Sequence, residues 1–270
     1  MIPAGRNLLV RVATAVVGLP VLGFFVFWHE SLGFLVVCAT AAVLSLVEYT
    51  GLTMRSRPVG ERIGIILVGA GLFLGLALRP AMALTWVLAS VLATGLLLLP
   101  RAVDPPPAAW HRLAVAGFGV FYVGGLLAAL RILHVQAGPA WVALAIVVTF
   151  GNDTGAYFAG RALGRHKLAP AISPGKTIEG AIGGMVASLI VTFVARGFFM
   201  PSLTVQDCLM VGIPAAIVGP AGDLVESLLK RSAGAKDSGR LLPGHGGMLD
   251  RIDALLFVGA YVCLYATQLR

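Results

Sequence analysis

Charge is scarce in this sequence. Only 12% of its 270 residues are Asp, Glu, Lys or Arg, against about 25% in an ordinary soluble domain, while 58% are hydrophobic. That balance belongs to a membrane protein and speaks against a water-soluble enzyme. Cysteine is scarce too: Cys38, Cys208 and Cys263 lie far apart, within or beside apolar runs, with no metal-ligand spacing, and read as packing residues. His245 stands alone, so no zinc-type His or Cys cluster exists. No Ser-His-Asp or Cys-His arrangement is evident, and no internal repeat. A phosphate-cradling P-loop is missing as well. SPGKT at 173–177 ends like one, but the pattern needs Gly five residues before Gly175, and Pro170 stands there.

Long apolar runs are what the chain does have. Crossing a bilayer takes roughly 20 mainly apolar residues per helix. Nine stretches qualify, roughly 10–28, 32–52, 63–79, 81–100, 113–133, 139–159, 178–196, 207–229 and 252–269. Arg6 and Arg11 ahead of the first run resemble a signal peptide, but no small-residue cleavage site follows, and the run is read as a retained first span. The expected fold is therefore all-α, a polytopic integral membrane protein of about nine transmembrane helices. About five spans fall in residues 1–135. Residues 136–270 form a C-terminal catalytic region with polar loops at 160–177 and 230–251.

Lys and Arg in short loops stay on the cytoplasmic side. With the N-terminus cytoplasmic, 16 of the 20 basic residues face that side, leaving Arg79, Arg131, Arg196 and Arg270 opposite. Both polar loops then meet the compartment that holds nucleotides and the anionic headgroups. The net charge of +8 is accounted for by this bias, so no nucleic-acid partner is implied. For Arg6, Arg55, Arg57 and Arg112 topology is explanation enough.

The acidic residues are more informative. Five of the twelve, Asp223, Glu226, Asp237, Asp250 and Asp253, fall within residues 223–253. Asp223 follows Gly219, Pro220 and Gly222 in an otherwise apolar span. Pro and Gly loosen a helix there, and an ionisable residue at such a break is a functional candidate. Glu226 lies three residues on, hence on the same helical face, and Asp250 and Asp253 repeat the spacing. Two acidic pairs brought together need a cation between them. Mg2+ fits best, because it takes a few carboxylates and completes its octahedron with water and phosphate oxygens. Lys230, Arg231, Lys236, Arg240 and Arg251 would serve phosphates that the metal only partly neutralises. The amides of Gly246 and Gly247, or the start of the last helix, add donors. Upstream, Lys176 suits a phosphate as a point charge, and Asp153 is a further ionisable residue in its span. His166 and Lys167 fit a solvated surface equally well. Trp28, Trp86, Trp110 and Trp141 read as interfacial anchors or packing residues, the many glycines as allowance for close helix approach, and Glu48 as a partner of Arg55 or a residue facing headgroup water.

Residues 227–253, SLLKRSAGAKDSGRLLPGHGGMLDRID, resemble the signature of the phosphatidate cytidylyltransferase (CDP-diacylglycerol synthase) family. Ser227, Lys230, Arg231, Lys236, Asp237, His245, Gly246, Gly247, Asp250, Arg251 and Asp253 each fall in place. GDLVESLLK, with Asp223 and Glu226, and SPGKTIEG at 173–180 are similar to the family as well. The resemblance implies transfer of a cytidylyl group from CTP to phosphatidic acid, giving CDP-diacylglycerol and pyrophosphate for phospholipid synthesis, with Mg2+ and in some arrangements a second cation. It also implies a homodimer, and the compact chain suits a cell inner (cytoplasmic) membrane with the active site on the cytoplasmic side. Asp223, Asp250 and Asp253 are the first expected metal ligands, with Glu226 and Asp237 as contributors. Lys230, Arg231, Lys236 and Arg251, with Lys176 and Arg240 behind them, would hold the CTP or lipid phosphates, and His245 would donate to a phosphate oxygen or shape the turn. The alternatives are a CTP-dependent kinase of a polyprenol-type lipid alcohol and, further off, an ion-coupled transporter.

Overall fold

The computed structural model describes residue 18 and residues 20–28, 31–99, 104–239 and 246–270. Arg240, His245 and about half of the first expected span, 10–28, lie outside that set. Nine α-helices follow one another among the described residues. They are α1 (Ser31–Thr53), α2 (Val59–Leu78), α3 (Ala83–Leu98), α4 (Pro106–Gly119), α5 (Leu126–Gln136), α6 (Pro139–Leu163), α7 (Ile178–Phe198), α8 (Val205–Ser232) and α9 (Leu249–Leu264). A π-helical turn, Val120–Gly125, joins α4 to α5, so that Pro106–Gln136 is one apolar stretch, and a second, Tyr265–Leu269, extends α9. Eight helical stretches are long and apolar enough to cross a membrane, and each overlaps one of the spans expected after the first. The outward stripe of α3 shows the solvent they are built for: Leu84, Leu88, Leu92 and Leu96, four residues apart, are 71%, 53%, 65% and 74% exposed, which suits hydrocarbon rather than water.

Local chemistry sets where these helices start. Pro occupies the first turn of α4 and α6, where its missing N–H is no loss. Thr177 caps α7, accepting from the Gly180 amide at 3.1 Å. Thr204 and Asp207 form a reciprocal capping box at the start of α8.

The chain divides into two compact units, Met1–Ile132 with Asp237–Arg251, and Leu133–Lys236 with Ile252–Arg270. In the first, Met54, Ile65, Leu72, Leu98, Ala116 and Val120 form the core, with Trp86 packed against it. Arg112 is buried there: it donates to the Leu98 carbonyl at 2.9 Å and lies 3.5 Å from both Glu61 and Asp104, while Arg57 pairs with Asp104 at 2.8 Å. Arg57 and Arg112 thus hold helix ends together, beyond marking topology. In the second unit α6, α7 and α8 pack face to face. A Cβ on Gly155 would stand 2.8 Å from the Gly183 carbonyl, so the backbones of α6 and α7 touch as small residues in membrane helices allow. Trp141 is buried in this unit beneath the Arg270 guanidinium.

Two expected loops are shorter than the sequence suggested. The stretch 160–177 begins inside α6 and then forms a two-stranded antiparallel hairpin, β1 (Lys167–Ala169) and β2 (Ser173–Thr177). It is pinned by Glu179, which accepts from the amides of Arg165 and His166 and pairs with His166 Nδ1 at 2.6 Å. SPGKT is therefore a strand. The stretch 230–251 is helical at both ends: α8 runs on to Ser232 and carries Lys230 and Arg231, and α9 begins at Leu249 and carries Asp250 and Arg251.

Candidate functional site

The polar residues of the second unit gather where α6, β2 and α8 meet. α8 is 28 residues long and contains Pro214 and Pro220. At a rise of 1.5 Å per residue that is about 42 Å, more than the roughly 30 Å of hydrocarbon, so its last turns carry charge at little cost. Gly222 lets this end approach the start of the next span: a Cβ there would lie 2.6 Å from the Asp253 carbonyl oxygen and 3.1 Å from the Phe257 ring. Asp223 is thereby brought within electrostatic reach of Asp253, and Asp153 on α6 joins them.

A cavity of about 770 Å³ opens between α6, the hairpin and α8, lined by Asp153, Tyr157, Arg161, Lys176 and Asp223 among others. Its size suits a small-molecule ligand. Lys176, near the end of β2, lies 2.9 Å from Asp223 Oδ2 and donates to the Pro220 carbonyl at 3.2 Å. Asp223 Oδ1 accepts from Ser227 at 3.2 Å. Glu226 is fully buried and ion-paired with Lys230, one turn away on α8. Arg231 is exposed, its Nε 3.5 Å from the Ile172 carbonyl, and Lys236 is exposed at the end of this unit. Asp253 lies within α9 and accepts from the amide of the next residue, Ala254, at 2.8 Å.

The other expected residues belong to the first unit. Asp237 and Arg251 are exposed. Asp250 accepts from the amides of Ser238 and Gly247 at 3.0 and 2.9 Å, so the Gly247 N–H is engaged within the chain. Gly246 takes φ +81°, a conformation that only glycine adopts freely.

Sequence reasoning passed over several residues. Tyr157 and Arg161 line the cavity and hydrogen-bond to each other at 2.9 Å. Asn152 lines it as well, 2% exposed, and neither atom of its side-chain amide has a hydrogen-bond partner among the described residues. Glu48, read as a partner of Arg55 or a residue facing headgroup water, is buried and accepts hydrogen bonds from Ser238, Met248 and Leu249. A lone acid in an apolar span is a signal in itself, but its partners lie some 190 to 201 residues away, beyond any local pattern.

The donor set is all oxygen, which suits a hard cation. Among the described residues no three His, Cys, Asp or Glu side chains converge as a closed metal cage. Mg2+ does not require one, since one or two carboxylates with water and substrate phosphates suffice. Asp223 and Asp253 fit that role. Such a surface, carboxylates beside Lys176 and Lys230, can hold a polyphosphate through a cation and ammonium groups together.

The profile of the cytidylyltransferase family matches residues 9–269. Proteins named phosphatidate cytidylyltransferase are similar over 121 residues: that of Staphylococcus haemolyticus is 53% identical, and those of Staphylococcus saprophyticus and Staphylococcus aureus are each 49% identical. Each alignment covers 45% of this chain and 46% of the relative, so the chain spans about half the length of the curated relatives it matches.

Proposed function

The chain belongs to the cytidylyltransferase family, and from that premise we propose that it transfers a cytidylyl group from CTP to phosphatidic acid, giving CDP-diacylglycerol and pyrophosphate. The cavity of the second unit carries this reading, because it sets Asp153 and Asp223 beside Lys176 at the end of a membrane span. The relatives' names supply the lipid substrate.

The lipid's own phosphate oxygen is the nucleophile and is ionised near neutral pH, so no protein base is needed. It forms a bond to the α-phosphorus of CTP while the bond from that phosphorus to the β-phosphate oxygen breaks, and pyrophosphate leaves with the electron pair. The protein's task is to hold two anions together and neutralise the charge that moves onto the leaving group. Asp223 and Asp253 would hold Mg2+, which when bound supplies Lewis-acid neutralisation of phosphate oxygens. Lys176 and Lys230 hold phosphate oxygens as point charges; each is paired with a carboxylate, Asp223 or Glu226, that fixes its position. Arg231 and Lys236, both exposed, reach the outer phosphates, and Arg240, His245 and Arg251 keep the phosphate roles that the resemblance implies.

The basic asymmetry of the loops supports an orientation with the cavity facing the cytoplasm, in the inner membrane of a bacterial cell, and labelling a cysteine placed at Lys236 from one side of sealed vesicles tests it. A homodimer is the proposed assembly, and the mass of the solubilised protein tests it. Pyrophosphate release by purified protein tests the reaction itself. Release that needs both phosphatidic acid and Mg2+ is expected; folded protein that releases none refutes the proposal.

A further inference from the structure

Glu48 lies near the end of α1, 5% exposed, where an unpaired carboxylate would be costly. Three donors from one distant segment stabilise it. Ser238 Oγ donates to Oε2 at 3.1 Å, the Met248 amide to Oε1 at 2.9 Å and the Leu249 amide to Oε2 at 2.9 Å. Ser238 extends the arrangement, giving its amide to the Asp250 carboxylate at 3.0 Å and accepting the Asp250 amide on Oγ at 3.3 Å. With the Gly247 amide on Asp250 Oδ2 at 2.9 Å, all four amides from 247 to 250 are taken up by side chains. A helix start normally leaves these donors open, free to bind an anion. Here the protein closes two of them, those of Met248 and Leu249, with a carboxylate from another helix. Space around that carboxylate is held open by absent side chains: a Cβ on Gly239 or on Gly247 would collide with Glu48 itself.

We propose that Glu48 is a positioning residue for the transfer reaction, fixing the first turn of α9 and with it the carboxylate of Asp250, for which the family resemblance implies a metal-ligand role, an inference that rests on the cytidylyl-transfer reading. The reason for a carboxylate is specific. Two oxygens must accept three hydrogen bonds, and Gln would turn an NH2 group toward an N–H or O–H donor. A cap that served stability alone would not need to reach Asp250 through Ser238.

Glu48→Gln and Glu48→Ala, in detergent, are followed by pyrophosphate release and by amide hydrogen exchange in peptides covering 246–252. Exchange at Met248 and Leu249 is expected to rise in both variants. The kcat should fall about ten- to a hundredfold in E48Q, the range for losing the partner that orients a ligand, and further in E48A, with KM for CTP changing less than kcat. Glu61→Gln, which alters the other buried carboxylate of the first unit, should lower thermal stability and leave exchange at 248–249 as it was. If E48A does not fold, E48Q and Ser238→Ala carry the test. Raised exchange with wild-type kcat would make Glu48 a cap only, and unchanged exchange would remove the contact; either result overturns the proposal. Wild-type protein without pyrophosphate release would count against the cytidylyl reading itself, while the exchange arm still decides whether Glu48 holds the segment.

Discussion

Asp223 sits where α8 leaves its apolar stretch, held from one side by Ser227 and from the other by Lys176. Asn in its place keeps the shape and the Ser227 bond but loses the charge that a cation and Lys176 both require. Asp223→Asn should therefore lower kcat for pyrophosphate release by at least about a hundredfold, the scale on which electrostatic groups act at a transition state. Thermal stability should barely change, because an ion pair whose side chains are 21% and 36% exposed is worth about 0–1 kcal/mol. Assay and melting curve together check this, and near-normal turnover would remove Asp223 from the site. At this scale much was legible. Asp223 stood out because a charge in an apolar span demands a reason, Asp253 because with Asp250 it repeats the spacing of Asp223 and Glu226, and Lys176 as a point charge suited to a phosphate. Partners were not legible. Nothing local says that Lys176 meets Asp223, 47 residues away in the sequence, or that Glu48 meets Ser238.

Among the elements, the junction of α8 with the start of α9 matters most, because it sets Asp223 against Asp253. Gly222→Ala would place a methyl 2.6 Å from the Asp253 carbonyl oxygen, a backbone atom that cannot step aside. The expected cost is about 1–3 kcal/mol of stability, with turnover lowered as the two carboxylates separate. Gly197→Ala on α7, where a new Cβ meets nothing within 4 Å, should leave turnover unchanged and stability equal or slightly raised. Thermal unfolding of both in detergent checks the contrast, and equal effects would deny the close approach its role. The helices themselves were plain in the sequence, since hydrocarbon permits few alternatives to a helix of about 20 apolar residues. The hairpin was not. Its strands are three and five residues long, carry Pro and Gly, and depend on Glu179 from the following helix, so locally they read as loop.

The whole molecule is a multi-pass membrane protein whose second unit carries Asp153 and Asp223 on apolar helices beside Lys176 of the hairpin. Eight candidate spans lie among the described residues. That arrangement suits an enzyme joining a water-soluble nucleotide to a lipid that never leaves the bilayer. A CTP-dependent lipid kinase would share the membrane, the nucleotide and the metal, and only the fate of each phosphorus separates the two reactions. The most direct measurement gives the purified protein Mg2+, phosphatidic acid and CTP labelled either at the α- or at the γ-phosphorus, then extracts the lipid. The account predicts α-label in the lipid phase as CDP-diacylglycerol and γ-label in water as pyrophosphate. Label from the γ-position in lipid, with the α-label left in water as CDP, would contradict it.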